Sequence, residues 1–449
     1  MSPALPGSLL RRVLLFSGAL LCVSTVACES TVTFDFFPRG APIEEPPPGA
    51  AGAAGAPTGG GEPPEPPALI VEGVRNLSRE SSGARACADG GDAVGYPVAR
   101  LEASLVELAL PPAEGCLQPG DEVLLINLQG ATDGLGQVGS YELSKVHGVS
   151  GKRVMLAAPK RAFFGRESGS DEGVGTSPGE QRVVVQRVPV YSRLEVRAGA
   201  ELTADAWNGQ LGGVLALRVL GESLVDGRVH MDARGYRGGP TTEPAESPGT
   251  QGESLAGLGA TATFANLGGG GGGIGDQTRL GCQQDGNPGG GGGHVTPGRS
   301  AVVMDLCEGA GAGAGGQRYD LPGRLFLGSG GGSAGTDNIR VDNPPGGAGG
   351  AGGGIVWLLS DSITGRGAIS ARGAAGVGDP PGTECLGYSV VDCYDHTGPG
   401  GGGAGGSVRL TAARIDLRSY AAPGGRGGNG NDAVAGNGGD GGDGLVLIE

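Results

Sequence analysis

Gly346-Gly347-Ala348-Gly349-Gly350-Ala351-Gly352-Gly353-Gly354 runs directly into Ile355-Val356-Trp357-Leu358-Leu359. After a polar step the chain continues Ile363-Thr364-Gly365-Arg366-Gly367-Ala368-Ile369-Ser370-Ala371, and glycine returns at Gly373. Short runs rich in β-branched and aromatic residues read as strands, and the flanking glycines read as turns. The phrase recurs upstream as Gly212-Gly213-Val214-Leu215-Ala216-Leu217, followed by Gly227-Arg228-Val229-His230-Met231-Asp232-Ala233-Arg234-Gly235. It recurs downstream as Gly405-Gly406-Ser407-Val408-Arg409-Leu410 with Ile415-Asp416-Leu417. No unit is long enough to bury its own apolar face, so successive units must stack. The expected fold is all-β: a right-handed parallel β-helix-like solenoid with long glycine-rich insertions, preceded by a small β-rich cap domain. Within Ile355–Leu359, alternation sends either 355/357/359 or 356/358 inward. Because the run is apolar throughout, the other set is expected to be covered by a glycine-rich insertion. Val214, Ile355 and Val408 are the matching strand starts.

Of 449 residues, 98 are Gly and 31 are Pro, with aromatics at 4%. At that composition disorder competes with folding. Two features favour order: the glycines cluster, and the runs between them keep a strand pattern. A narrow coil covered by its neighbours also needs few large side chains. The formal net charge of −15 repels phosphate backbones, which argues against nucleic acid as a partner.

Residues 1–27 read as an export signal, with Arg11-Arg12 ahead of the apolar run Val13–Val23, a run too short for a comfortable membrane span. The signal ends Thr25-Val26-Ala27-Cys28 and so resembles a bacterial lipobox, although leucine is usual where Thr25 stands. That resemblance makes Cys28 the lipidated first residue of the mature chain. Glu29, rather than aspartate, then implies the outer membrane. Residues 28–68 carry Glu44-Glu45-Pro46-Pro47-Pro48 and Pro63-Pro64-Glu65-Pro66-Pro67, the composition of a part-stiff tether. Residues 69–198 read as a β-rich cap, with strand candidates at 123–126, 141–146, 154–156 and 183–188; the one helical pattern spans Val98–Leu110. Residues 199–449 are the glycine-rich β-helix domain, its coils separated by insertions at 235–300, 308–318, 328–353, 373–406 and 423–444.

Insertions of that length point to function or to disorder. A third reading is physical: tracts such as Gly-Gly-Ala-Gly-Gly-Ala and Gly439-Asp440-Gly441-Gly442-Asp443 repeat with period three. That period suits extended threefold helices that pack side by side through glycine. All three readings stay open at this level. The segment Gly120-Asp121-Glu122-Val123-Leu124-Leu125-Ile126 with Gln129-Gly130 and Tyr141-Glu142 resembles a module of glycine-rich surface proteins of gliding bacteria, the gliding-motility-like or PGRS-like group. So does Val188-Pro189-Val190-Tyr191 with Leu202-Thr203-Ala204, Trp207-Asn208-Gly209, Gly212-Gly213 and Gly235-Tyr236-Arg237-Gly238-Gly239. The resemblance covers roughly 120–449; it implies secretion, surface display and the β-helix fold, but no particular chemistry.

Beyond Cys28 the mature chain holds Cys87, Cys116, Cys282, Cys307, Cys385 and Cys393. An even number in an exported chain reads as three disulfides, with sequential pairing the simplest connectivity. A metal site at Cys385, Cys393 and His396 competes, but the spacing matches no zinc pattern. Gly427–Ala435 fits a calcium-binding nonapeptide with Asp432 as its carboxylate, chemistry that suits a hard cation; the next residues do not keep the register, so no cofactor beyond a weak calcium candidate is assigned. Gly331-Gly332-Ser333-Ala334-Gly335 has the spacing of a nucleophile elbow but lacks a following helix. Asp392, Asp395 and His396 form the densest polar cluster and read as a polar loop. Asp232 and Asp416 are isolated acids on the coil strands, whereas a polysaccharide-cleaving β-helix needs convergent carboxylates. The expected protein is therefore not an enzyme. It is a lipid-anchored surface protein of structural, adhesive or matrix-interaction role, touching membrane through its lipid and polysaccharide or other surface proteins through its body. The alternative is a carbohydrate-active β-helix enzyme, a lyase or hydrolase.

Overall fold

The computed structural model describes residues 65–82, 85–131, 133–241, 248–274, 286–302, 311–336, 345–378, 398–430 and 436–449. Every regular element among them is a β-strand. The chain opens with β1 (Leu69–Val71) and β2 (Val74–Asn76). It then forms β3 (Gly95–Leu101), β4 (Leu105–Leu108), β5 (Glu122–Gln129), β6 (Tyr141–Ser150), β7 (Arg153–Leu156) and β8 (Arg182–Arg187). These six close an antiparallel barrel in the order β3-β4-β7-β6-β5-β8. The stretch with helical spacing, Val98–Leu110, is the β3–β4 hairpin, with Val98 paired to Leu108. Its apolar residues alternate between buried and exposed, and cross-strand partners override the weaker local period.

Past the barrel the chain makes repeated passes. The first is β9 (Val190–Tyr191), β10 (Leu194–Val196) and β11 (Glu201–Thr203); the second is β12 (Val214–Val219), β13 (Glu222–Val225) and β14 (Arg228–His230). Next come β15 (Ile355–Leu359) with β16 (Ser362–Ser370), then β17 (Ser407–Thr411) with β18 (Arg414–Ala421), and finally β19 (Leu445–Ile448). Every pairing among these strands is parallel. A five-stranded sheet runs β19-β17-β15-β12-β9, and an eight-stranded sheet runs β1-β10-β13-β16-β14-β11-β2, with β18 added on β16. β1 and β2 pair with β10 and β11, so the large sheet begins at Leu69 and the barrel, Gly95–Arg187, is inserted between its first strands.

Registers decide which side chains meet. Leu215, Val356 and Val408 stack across successive strands, as do Leu217, Leu358 and Leu410. Both stacks lie in the core between the two sheets, with Leu194, Val196, Val225 and Ile363 opposite. The alternate set, Val214, Ile355 and Trp357, faces outward into a second core with Leu124 and Ile126 of β5 and Val184 of β8. The outer face is thus covered by the barrel wall together with Tyr236 and Leu255 of the 235–300 insertion and with Leu325-Phe326-Leu327, which links two insertions. Val408 does not share a face with Val214 and Ile355, because Ile355 pairs with Ser407; a slip of one residue reverses orientation. Trp357 is buried on the outward face, edge-on to Tyr141 at 5.2 Å and under the Arg409 guanidinium at 4.4 Å.

The glycine insertions are ordered wherever they are described, and their hydrogen bonds have period three. Along 398–406, the amides of Gly400, Gly403 and Gly406 donate to Val377, Ala374 and Ala371. Those of Gly401 and Ala404 donate to Gly332 and Ser329, and those of Gly402 and Gly405 to Gly439 and Gly442. The carbonyls of the same segment accept from 346–354, 286–293 and 422–429 with the same spacing. Segments 286–293 and 328–335 are likewise bonded on all sides. Three directions of donation per turn is the hydrogen bonding of extended threefold helices in a hexagonal lattice, not of a sheet. Backbones come so close that a Cβ on Gly401 would lie 1.9 Å from the Gly290 carbonyl oxygen. Alanine is admitted at the rim, as at Ala348 and Ala351, both partly exposed, and at the buried position Ala404. Of the three readings of the insertions, the glycine-helix lattice is the one found for the described segments.

Candidate functional site

The outer corner of the large sheet, where β11, β14, β16 and β18 stack, carries a groove of about 410 Å³. Its floor is small because glycine lets successive passes close up: a Cβ on Gly367 would lie 2.0 Å from the Gly227 carbonyl oxygen. Arg228, Arg366, Arg372 and Arg418 line it, with Glu201 and Asp226. Glu201 and Arg228 are register partners on β11 and β14, while Arg366 and Arg418 lie at the register shift between β16 and β18 and Asp226 and Arg372 just outside the strands. Arg228 is held between Glu201 at 2.9 Å and Asp232 at 2.8 Å. Asp226 accepts the Arg366 amide at 3.0 Å and lies 3.6 Å from its guanidinium. Asp232 also accepts the Arg372 amide at 2.8 Å. The Arg372 and Arg418 guanidinium groups have no ion pair among the described residues. In a chain of net charge −15, this is a local exception that favours an anionic partner.

Beside the groove, His230 Nε2 lies 3.4 Å from Glu201 Oε2. Burial lowers the His230 pKa, against the opposing pull of Asp232, so the imidazole is neutral near pH 7. The acids lining the groove are each engaged by an arginine rather than paired with one another, so the arrangement suits electrostatic holding rather than general acid–base work.

Asp232 therefore belongs to the ion-pair ladder, whereas Asp416 sits on the last strand of the large sheet and pairs locally with Arg414 at 2.9 Å. Ser333 is buried in the glycine lattice, its hydroxyl 2.8 Å from the Thr250 amide, and it has no histidine beside it among the described residues. Cys87 and Cys116 form a disulfide, the first of the sequential pairs. Cys28, Cys282, Cys307, Cys385, Cys393, His396, Asp392, Asp395 and the calcium candidate Asp432 lie outside the described residues. Among the described residues no cluster of His, Cys, Asp or Glu could hold a metal ion, and no helix is long and apolar enough to cross a membrane. The groove arginines escaped sequence reading because they come from three strands, and from the residues just past β16, spread over Arg228–Arg418.

The polar knot that joins barrel, sheet and lattice was equally hidden. Glu253, nearly fully buried, accepts from the Arg237 guanidinium at 2.7 Å, the Trp207 indole at 3.0 Å and the Gln129 amide at 2.9 Å. Burial pushes its pKa up, but these hydrogen bonds outweigh that and hold the carboxyl below the usual range.

No protein-family model matches the chain, and no curated protein matches it. Among solved structures it is similar to the tailspike protein gp49 from Pseudomonas phage LKA1, at 13% identity and a TM-score of 0.16, over 31% of this chain and 24% of the tailspike. The chain thus spans about a quarter of that protein's length.

Proposed function

We propose that this is a lipid-anchored surface protein whose body is a right-handed parallel β-helix solenoid with a structural, adhesive or matrix-interaction role. The observation that supports it best is the glycine lattice fused to the stacked parallel strands. Its interior is committed to backbone hydrogen bonds between segments far apart in sequence, which makes a stiff display body rather than a cavity of reactive side chains. What supports the solenoid reading is that each pass crosses the small sheet and then the large one, and successive passes pair in parallel with the one before. The arginine-lined groove gives that body a surface for acidic polymers. The export signal and Cys28 provide the anchor, and the Pro-rich segment to residue 68 the tether.

Fractionation and binding test this together. Cys28→Ser is expected to move the protein from the membrane to the soluble fraction. The wild-type chain is expected to retain acidic polysaccharides without shortening them, and Arg372→Glu with Arg418→Glu to lower retention about tenfold at low salt. Release of reducing ends or unsaturated sugars from the same panel would instead establish the lyase or hydrolase alternative. A wild-type protein already soluble and beginning at another residue would end the anchor idea.

A further inference from the structure

A second cavity of about 410 Å³ lies between the barrel and the first passes of the parallel sheets. One wall is apolar, made by Val94 and Val184 of the barrel with Leu211. Arg234 also lines the cavity and is placed by backbone rather than by a side-chain partner. Ala233 adopts a left-handed φ of 55°, uncommon for a residue with a Cβ. Arg234 is held through its main chain, its carbonyl accepting the Trp207 amide at 3.0 Å. Its Nε is buried without a hydrogen-bond partner, and its guanidinium enters no ion pair among the described residues. Asp205 lies near enough for its charge to act on Arg234, and its Oδ1 is engaged by other groups. It takes 2.7 and 2.8 Å contacts from Arg79 Nε and Asn76 Nδ2. An arginine Nε buried in a cavity wall without an acceptor is costly unless a ligand supplies one.

We propose that this cleft binds a carboxylate-bearing sugar, a hexuronate residue, with its carboxylate on Arg234 and one ring face on the Val94–Val184–Leu211 wall. Planar guanidinium and carboxylate match as a two-pronged pair. Asp89 and Asp205 also line the cavity, and their charge disfavours a dianion such as phosphate while leaving room for a single negative charge. The volume suits a small ligand, and a lining that combines apolar and polar side chains suits a pyranose. Burial lowers the Arg234 pKa without neutralising a group of such high basicity. This site is separate from the outer groove and does not depend on the surface-display reading.

The test is calorimetric titration of the full chain with a galacturonate trimer, with a neutral galactose trimer and inorganic phosphate as controls. Saturable binding of the galacturonate trimer is expected, at least tenfold tighter than either control. Arg234→Gln is expected to weaken it at least tenfold, and Arg234→Lys less. Because Arg234→Gln could disturb the turn at Ala233, Ala206→Trp serves as a second variant. Ala206 is exposed and lines the cavity, so a tryptophan there should block the cleft while leaving the melting temperature unchanged. Binding that both variants leave intact would overturn the assignment, as would equal binding of the neutral trimer or no binding by the wild type. If the Arg372/Arg418 double variant still binds the trimer, the cleft stands even if the groove fails.

Discussion

At the scale of single residues, His294 is the group whose burial has the clearest thermodynamic consequence. It stacks on Tyr319 at 5.0 Å and meets the edge of Phe326 at 6.0 Å. Its Nδ1–H donates to the Gly405 carbonyl at 2.8 Å, and its Nε2 is buried without a partner. Burial pushes its pKa down to about 4, so the folded protein holds it neutral while the unfolded chain binds a proton at the ordinary value. Its contribution is therefore complete above roughly pH 6.5 and is lost as pH falls toward 4, about 3 kcal/mol at the low end. His294→Gln keeps an amide donor for Gly405 but cannot be protonated. Urea unfolding at pH 7 and pH 4.5 should show wild type losing more stability on acidification than the variant, by roughly 2 kcal/mol. Equal losses would remove His294 as the cause.

At the scale of elements, the parallel strands and the glycine segments depend on opposite properties of their residues. In β15, alternate side chains serve two cores at once, so Val356 and Leu358 pack between the sheets while Ile355 and Trp357 pack on the barrel. In the lattice there is no side-chain packing to speak of, and stability depends on how closely backbones approach. Gly401→Ala is the sharp case, since its methyl would have to displace the carbonyl of Gly290 and backbone cannot swing aside as a side chain can. Its cost should exceed about 3 kcal/mol, the upper end of ordinary overpacking. Ala351→Gly, at a rim position, should cost less than about 1 kcal/mol. Chemical denaturation of the two variants side by side decides it: if Gly401→Ala unfolds at the wild-type midpoint, the lattice does not bear load.

At the scale of the whole molecule, the long insertions fold back on themselves and onto the strands that flank them. Ile274, which precedes Cys282, donates its amide to the carbonyl of Gly311, which follows Cys307. Cys282 and Cys307 themselves lie outside the described residues, and their pairing is the sequential one expected from the even cysteine count. With Cys87–Cys116 formed and Cys385 only a short step from Cys393, three bridges are expected. Intact mass should then rise by about six hydrogens on reduction, two for each bridge. Maleimide labelling of the unreduced, unfolded mature chain would show instead that some of these thiols are free.

The all-β class, the strand runs, the glycine phrases and the period of three were legible in the sequence because each is a local property. Strand propensity sits in runs such as Ile355–Leu359, and turn chemistry in the glycines around them. The helical spacing of Val98–Leu110 misled for the same reason: a local period said nothing about the cross-strand partner, Val98 to Leu108. Only the tertiary structure decided the faces. The Ile355–Ser407 register turned Val408 inward while Val214 and Ile355 went out, and no local feature of those strands contains the one-residue offset. It also decided that the barrel, through Tyr141, meets Trp357 alongside residues of the insertions. The candidate sites were illegible for a related reason. Arg228 and Arg418, like Arg234 and Val94, are brought together by stacking passes of the chain, and stacking is a relation between segments that neither segment's composition records.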